Sequence, residues 1–372
     1  MSNRAPRLLL VGLALLLAVA DASAQRSCDL ISSSQVFYVQ RDDARVNYVS
    51  LPRLQCDDGT YMEADSSVTF EATSFTQLFG NVIFRDPERE LRSDRAQYFD
   101  RVGRLQAQGS VLLTTLEDGS WVTGEDLVLL QVTEDRAEEE VTVRQGRPHA
   151  HLVPRASTDS PAVSDSLGAP GPEPEDVAPP DPYEIDADVI HLVGDRLFQA
   201  RGRVEVVNQS LQSYADSLEF QQDIGRVSLF ENARVISSDT VSGDNLDLRG
   251  DTITMSVPNN QIEEMESRGH AQLLADEVDM RGPSIRLIFE NEEIESVFAV
   301  RRMVAGPESG VGPADYPDSL AGPIQPLALA EDFRLTGDSI EADLVDGELD
   351  DVQAFRSTGH EPARPMICAS TA

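Results

Sequence analysis

The sequence predicts an all-β protein made of stacked antiparallel strands. A short unit recurs along the chain: a small residue, an acid, any residue, an apolar residue, any residue and a second apolar residue. The two apolar residues lie two positions apart, which is the period of a strand with one buried face. Helical periodicity is almost absent after the N-terminal segment, and glycines recur inside the predicted strands.

The recurring unit is expected to end a turn and begin a strand, with its acid bonded to nearby backbone N–H groups. Acids of successive copies lie 28 residues apart at Asp188, Asp216 and Asp244, and 25 residues apart at Asp251 and Asp276. We therefore expect repeats of two or three short strands that bury their apolar faces by stacking. An ordinary sandwich with accidental similarity is the alternative. Clear copies begin at 187, 215, 243, 250, 275 and 337, and looser copies at 93, 124 and 282.

A second unit, often Gly-x-Val-x-apolar, follows many copies of the first. It places Gly109, Gly202, Asn232 and Gly269 within apolar, strand-like stretches. Glycine or asparagine at such positions predicts a bulge or a sharp bend rather than a straight strand.

The N-terminus has the pattern of a secretory signal peptide. Two arginines precede an apolar run at 8–20, and Ala22-Ser23-Ala24 forms a cleavage site of small residues. We expect residues 1–24 to be removed, so that a periplasmic protein begins at Gln25. An uncleaved anchor is the alternative, although the apolar run is shorter than the roughly 20 residues of a spanning helix.

The composition is strongly acidic. Asp and Glu number 65 against 30 Lys and Arg, which gives a formal net charge of −35, and every base is arginine. Nucleic-acid backbones and anionic membrane surfaces both require basic partners, so neither is expected to bind this chain. Solubility accounts for most of the charge.

Three cysteines are present. In an oxidising compartment, Cys28 and Cys56 are the candidate pair for a disulfide that pins the N-terminal segment onto the first strands. Cys368 is either free or paired elsewhere. No CxxC or Cys/His spacing typical of zinc occurs, so we expect no metal site.

Two proline-rich stretches interrupt the repeat. Residues 155–182 combine proline with serine, alanine and acids, a composition that favours a flexible linker or long loop. This stretch separates an N-terminal β domain at 25–154 from a second β domain at 183–372. The stretch at 306–326 is expected to be an insertion in the second domain, because the strand pattern resumes at Phe333.

Three segments carry a resemblance to a known family. The stretches 94–113, 188–206 and 216–235 share the small-residue–Asp opening, a Gly-Arg-Leu type of turn and a Gly-x-Val type of strand. In this order they resemble the repeat of the OstA-like proteins, the LptA-type periplasmic proteins of lipopolysaccharide transport. The resemblance covers roughly 64–130 and 183–300, and more weakly 333–365.

The resemblance implies an open, V-shaped β-jellyroll whose apolar groove carries lipopolysaccharide or a related glycolipid. It also implies partners: other OstA-like envelope proteins, namely an inner-membrane transporter component and an outer-membrane translocon, joined end to end by strand addition. This chain departs from the pattern by its two repeat blocks, by the insertion at 306–326 and by its acidity. The acidity is greater than expected for a protein that handles a phosphorylated glycolipid.

Candidate groove residues are the inward apolar positions of the repeat. For each of them the alternative is an ordinary core position sealed from any ligand. The candidates are Leu105, Val111, Leu113, Ile190, Leu192, Val204, Val206, Leu218, Phe220, Val227, Leu229, Leu246, Leu248, Ile253 and Met255.

The sequence favours a carrier that shields acyl chains on their way to the outer membrane, with no catalysis and no cofactor. A structural or interaction β-solenoid of the envelope with a sealed core is the competing hypothesis. An enzyme is the third class. Its evidence would be the acid pairs Asp186/Asp188 and Asp350/Asp351, which we expect in turns, or the histidine pair His149/His151, for which no third metal ligand is evident.

Overall fold

The computed structural model describes most of the chain. The described residues are 28–41, 44–154, 182–208, 211–238, 245–258, 261–275, 279–290, 293–301, 325–330, 334–345, 348–358 and 361–367. The expected signal peptide, residues 155–181, most of the 306–326 insertion and Cys368 lie outside them. The described part has 26 strands, three 3-10 turns and no α-helix, and none of its helical turns could span a membrane. The prediction of an all-β protein is therefore confirmed.

Eleven of the 26 strands are 10 to 13 residues long, and the other fifteen have 3 to 8 residues. The strands are β1 (Cys28–Ser32), β2 (Gln35–Arg41), β3 (Ala44–Ser50), β4 (Arg53–Cys56), β5 (Tyr61–Glu63), β6 (Ser66–Phe70), β7 (Phe75–Arg85), β8 (Arg89–Phe99), β9 (Arg104–Thr115), β10 (Trp121–Leu130), β11 (Glu140–Arg144), β12 (His149–Leu152), β13 (Tyr183–Asp186), β14 (Val189–Val193), β15 (Leu197–Val207), β16 (Leu211–Gln221), β17 (Arg226–Ser238), β18 (Asn245–Ser256), β19 (Glu264–Leu274), β20 (Asp279–Glu290), β21 (Glu293–Val300), β22 (Leu327–Leu329), β23 (Arg334–Thr336), β24 (Ser339–Val345), β25 (Glu348–Thr358) and β26 (Glu361–Ile367). The 3-10 turns are Glu71–Thr73, Asp100–Val102 and Gln222–Ile224.

All described strand pairs are antiparallel, and they form one continuous stack. The long strands are bent near their middle. At some positions along the stack, two short strands take the place of one long strand. The bends divide the stack into two arms. We call the side with β6, β11, β14, β21 and β24 the first arm, and the side with β5, β12, β13, β22 and β23 the second arm. The strands β7–β10 and β15–β20 contribute to both arms.

The bends follow one another along a seam between the arms. Strand pairing shifts register there, for example between Arg201 and Val204 of β15 and between Arg268 and Ala271 of β19. Gly202 has a φ of +79° and the next residue, Arg203, a φ of +48°. Two successive left-handed residues turn the strand sharply, and glycine adopts this conformation at least cost. The same pattern, with a left-handed Glu-Asn pair at 231–232, confirms the predicted bends at Gly109, Gly202, Asn232 and Gly269.

The described acids of the repeat lie at this seam. A Cβ on Gly202 would lie 2.5 Å from Asp188 Oδ2, and Arg203 Nη2 donates to Asp188 Oδ1 at 2.5 Å. The left-handed pair bends the strand without ending it. The expectation of short strands that begin after the acid is wrong for Asp94, Asp216 and Asp251, which lie within long strands, and holds for Asp188, which lies between β13 and β14. The equivalent facing pairs are Asp94 with Gly109 and Asp251 with Gly269.

The 28-residue spacing separates structurally equivalent acids in only one described case. Asp188 and Asp216 are both seam acids, and Asp216 Oδ2 accepts a hydrogen bond from Asn232 Nδ2 at 2.8 Å. The next seam acid in the described part of the chain is Asp251, and Asp244 lies outside that part. The longer interval reflects the extension of β17 and β18 in the second arm.

A continuous apolar core fills the space between the arms. Phe84 of the second arm and Tyr98 of the first arm place their ring centroids 6.0 Å apart, so the arms are in direct contact there. The core extends from Cys56 near the N-terminal end to Ala354 near the C-terminal end. Burial of one face of each arm against the other is what stabilises a stack of strands that has no helix to cover it.

Hydrogen bonding continues from the first repeat block into the second. Glu140–Arg144 of β11 pairs with Val189–Val193 of β14, and β12 pairs with β13. The 155–182 stretch thus separates the blocks in composition but not in the sheet.

The ends of the stack carry strands that are paired on one side. Among the described residues, β1 pairs with β4 alone, β2 with β3 alone and β26 with β25 alone. A disulfide between Cys28 and Cys56 ties β1 to β4. The side chains of Phe37 and Tyr38 on β2 are 61% and 70% exposed, so the N-terminal edge is apolar as well as one-sided.

Candidate ligand cavity between the arms

A cavity of about 340 Å³ lies between the arms, where the two repeat blocks meet. Its lining comes from β8 to β18. Asp118 and Ser120, in the turn between β9 and β10, border it from the tip of the second arm. Asp195 and Asp223, in turns at the tip of the first arm, border it from the other side. The cavity therefore reaches the surface between the arm tips.

Apolar side chains form most of the wall. Among the lining residues, Phe198 and Leu229 are completely buried, whereas Val206, Leu218 and Met255 are 5–6% exposed. The volume is at the lower end of the roughly 300–1,000 Å³ typical of small-molecule pockets. An apolar, water-shielded site of this size suits an aliphatic chain.

Eight of the fifteen candidate groove residues line the cavity, and the other seven do not. The eight are Leu113, Leu192, Val206, Leu218, Phe220, Val227, Leu229 and Met255. The seven are Leu105, Val111, Ile190, Val204, Leu246, Leu248 and Ile253. These seven are between 0% and 6% exposed within the core, so the structure gives them core positions between the arms.

Several lining residues were not anticipated from the sequence. Trp121, Leu152 and Tyr183 lie at the starts and ends of strands, outside the repeated unit. There the repeat does not predict which residues face the interior. Burial raises the pKa of the Tyr183 hydroxyl. Phe198 was missed because the Asp-Arg-Leu motif pointed to Leu197, whereas Phe198 is the fully buried neighbour. Alternation with the buried Ala200 was the signal that could have identified it.

The rim of the cavity carries more acids than bases. Arg89 lines the cavity and forms an ion pair with Glu139, which joins the tip of the second arm to the first. Both side chains are nearly buried, at 13% and 16% exposure. Asp118, Asp195 and Asp223 also lie at the rim. With Arg89 balanced by Glu139, the formal charge of the rim is negative.

The cavity wall includes a fully buried serine. Ser213 of β16 is 1% exposed, and its hydroxyl has no hydrogen-bond partner among the described residues. A buried hydroxyl without a partner is destabilising, and a water, an ion or a ligand that bonds to it removes this cost.

The predicted histidine pair lies on the outer face of the second arm. His149 and His151 share that face, and Glu184 on β13 accepts from both: its Oε1 is 2.7 Å from His151 Nδ1 and its Oε2 is 2.9 Å from His149 Nε2. Trp121 stacks on His151, with centroids 5.4 Å apart. The partner Glu184 was not evident in the sequence because it follows the 155–182 stretch. In the described part of the chain, no group of three or more His, Cys, Asp or Glu is placed to hold a metal ion.

The two acid pairs considered for catalysis are separated by the fold. Asp186 lies in β13 near His149 Nδ1, whereas Asp188 lies at the seam and binds Arg203. Asp350 and Asp351 are neighbours within β25, so their side chains point to opposite faces of the sheet. The expectation that these acids lie in turns is wrong for Asp186, Asp350 and Asp351, which are strand residues.

No protein-family model and no curated protein matches the chain. Among solved structures, it is similar to the crystal structure of LptH from Pseudomonas aeruginosa, the LptA-homologous periplasmic component of the conserved lipopolysaccharide transport device. The match has 15% sequence identity, covers 47% of this chain and 80% of LptH, and gives a TM-score of 0.20. At that TM-score the superposition carries no structural inference, and the architecture described above rests on the strand pairing.

Proposed function

We propose that the protein is an exported, non-enzymatic carrier that shields the acyl chains of lipopolysaccharide or a similar glycolipid as they cross the periplasm. The observation that carries the proposal is the apolar cavity that opens between the two arm tips. Water exposure costs about 0.8 kcal/mol per methylene, so a carrier has to cover the chains and can leave a sugar head in water. The disulfide between Cys28 and Cys56 supports an oxidising compartment.

Site-specific photo-crosslinking tests the carrier proposal. A benzophenone side chain replaces Phe220, which lines the cavity, and in a matched variant it replaces Phe84, which is a core residue 2% exposed and outside the cavity. We expect crosslinks to lipopolysaccharide or another envelope glycolipid from position 220 alone. Absence of lipid crosslinks at 220, or equal yields at both positions, would contradict the proposal.

A sealed structural protein is the second candidate function. It is favoured by the seven candidate groove residues that pack in the core without reaching the cavity. A scaffold of this kind would give no lipid crosslink at position 220, so the same experiment separates the two functions.

The one-sided terminal strands support a second part of the proposal, assembly with other envelope proteins of similar architecture by strand addition. Unpaired strand edges are normally an aggregation hazard that proteins cover or charge. Here β2 instead exposes Val36, Phe37, Tyr38 and Val39. An added strand would bond the free backbone edge and cover these side chains.

A further inference from the structure

We propose that the cavity selects an amphiphile with one aliphatic chain of about twelve carbons in the cavity and an uncharged, hydroxyl-rich head at the rim. The inference rests on the carrier function proposed above and, among the lipids proposed there, favours an uncharged glycolipid over phosphorylated lipopolysaccharide. A headgroup with net negative charge next to the cavity is disfavoured.

The volume of the cavity determines the length of the aliphatic chain that it can hold. A cavity of 340 Å³ holds about eleven groups of roughly 30 Å³, the volume of a water molecule in the liquid and similar to that of a methylene. If the lipid has several acyl chains, the cavity holds one of them. The arms would have to open wider to hold the others.

The negative charge of the cavity rim determines which headgroup charge the site accepts. Asp118, Asp195 and Asp223 come from the tips of both arms, so a head between them faces carboxylates on two sides. Two arginines at the tips already pair with glutamates, and Arg196 also attracts Asp223. Arg89 pairs with Glu139, and Arg196 pairs with Glu138 through Nη2 and Oε2 at 3.1 Å. A phosphate there would meet like charge in a partly desolvated site, whereas sugar hydroxyls can donate to the carboxylates.

Ser213 provides a position for the link between chain and head. It lies two residues from the start of β16 at the tip of the second arm, and its buried hydroxyl has no partner among the described residues. An ether or glycosidic oxygen at the end of the chain would accept a hydrogen bond from this hydroxyl. The site then satisfies a group that is otherwise unpaired.

Three detergents with the same twelve-carbon chain test the inference: dodecyl maltoside, dodecylphosphocholine and dodecyl phosphate, each below its critical micelle concentration. Isothermal titration calorimetry measures the binding of each detergent to the full-length protein. We expect dodecyl maltoside to bind at least tenfold more tightly than dodecyl phosphate. Equal or tighter binding of dodecyl phosphate would overturn the inference and leave the carrier function intact. Binding of none of the three would count against the carrier function itself.

Two sets of variants identify the groups responsible. Asp195→Asn with Asp223→Asn should raise the affinity for dodecyl phosphate severalfold. The control, Asp343→Asn with Asp350→Asn, removes the same charge from exposed positions outside the cavity and should leave that affinity unchanged. Ser213→Ala should weaken dodecyl maltoside binding severalfold without lowering the thermal stability of the free protein. Equal effects of the two charge pairs, or unchanged maltoside binding by Ser213→Ala, would contradict the assigned roles.

Discussion

Single glycines bend the long strands at the seam, and each of them faces a carboxylate. At Gly202 a side chain would meet two difficulties: a backbone φ of +79° and the Asp188 carboxylate 2.5 Å from the Cβ position. Gly119 has a similar φ of +77°, but nothing lies within 4 Å of its Cβ position. A comparison of substitutions at the two glycines therefore distinguishes the cost of the left-handed backbone from the cost of the steric contact.

We expect Gly202→Ala to lower the free energy of unfolding by more than Gly119→Ala does. The left-handed conformation alone should cost the control about 1–2 kcal/mol. The Gly202 variant also has to displace Asp188 from its bond with Arg203. Urea unfolding midpoints measure the difference. Equal losses would show that the contact with Asp188 contributes nothing.

Asp247 is the most strongly perturbed acid of the described outer surface. Desolvation acts to raise its pKa, but paired hydrogen bonds from Arg234 and Arg249 outweigh it and hold the pKa far below the usual range. The distances are 2.9 and 2.7 Å from Arg234 and 3.0 and 2.5 Å from Arg249. Because the folded pKa is depressed, the stabilisation is complete above the unfolded pKa of about 4 and is lost as the pH falls further.

Asp247→Asn should therefore destabilise the protein at pH 7 by about 1 kcal/mol, a value kept small because the two arginines are partly exposed. The difference from the wild type should narrow as the pH drops below 4. Urea titrations at pH 7, 5 and 3 measure it, with the exposed Asp343→Asn as the control. A difference that does not change with pH would refute the assignment.

At the scale of single elements, the sequence predicts strand direction and phase better than strand length. Alternation identifies inward residues such as Leu229 and Ile253, because burial on one face imposes a period of two. It does not distinguish a bend from a turn at the acids, since Asp occurs in both. The acids were therefore predicted to lie at turns, whereas the glycines that face them were correctly predicted to lie at bends. The partner of His151 could not be predicted, because a contact with Glu184 depends on pairing across 33 residues.

The terminal strand β1 depends on a covalent tie. It pairs with β4 alone in the described part, and the disulfide joins Cys28 to Cys56 directly across that pair. For a separation of 28 residues, loop-closure entropy gives the bond about 3–4 kcal/mol.

Replacing Cys28 and Cys56 by serine should release this end of the stack first. We expect faster amide hydrogen exchange in β1 and β4, with little change in β16 and β17. Cys368→Ser is the control and should leave the exchange of β1 unchanged. Unchanged exchange in β1 without the disulfide would show that strand pairing alone holds it.

At the scale of the whole molecule, the two arms form a packed core in one part of the stack and a cavity for a ligand in another. Where Phe84 meets Tyr98 the arms are in contact, and between β8 and β18 they leave a cavity. The candidate groove residues divide accordingly between the core and the cavity. This division could not be predicted from the repeat, because each copy has the same apolar phase while the spacing of the arms depends on the size of opposing side chains and on the tips.

The Arg89–Glu139 pair is the contact that holds the arm tips together at the cavity. With both side chains less than a fifth exposed, Arg89→Met would leave Glu139 shielded from water without a partner, which typically costs 3–5 kcal/mol. We expect lower stability in urea and faster uptake of dodecyl maltoside, measured by rapid filtration with radiolabelled detergent. The neighbouring Arg196–Glu138 pair is 49% and 42% exposed, so Arg196→Met should cost no more than about 1 kcal/mol and leave uptake unchanged. The charge exchange Arg89→Glu with Glu139→Arg should restore much of the stability and slow uptake again. If the Arg89 and Arg196 variants behave alike, the tips are held by the core beneath them and not by the buried pair.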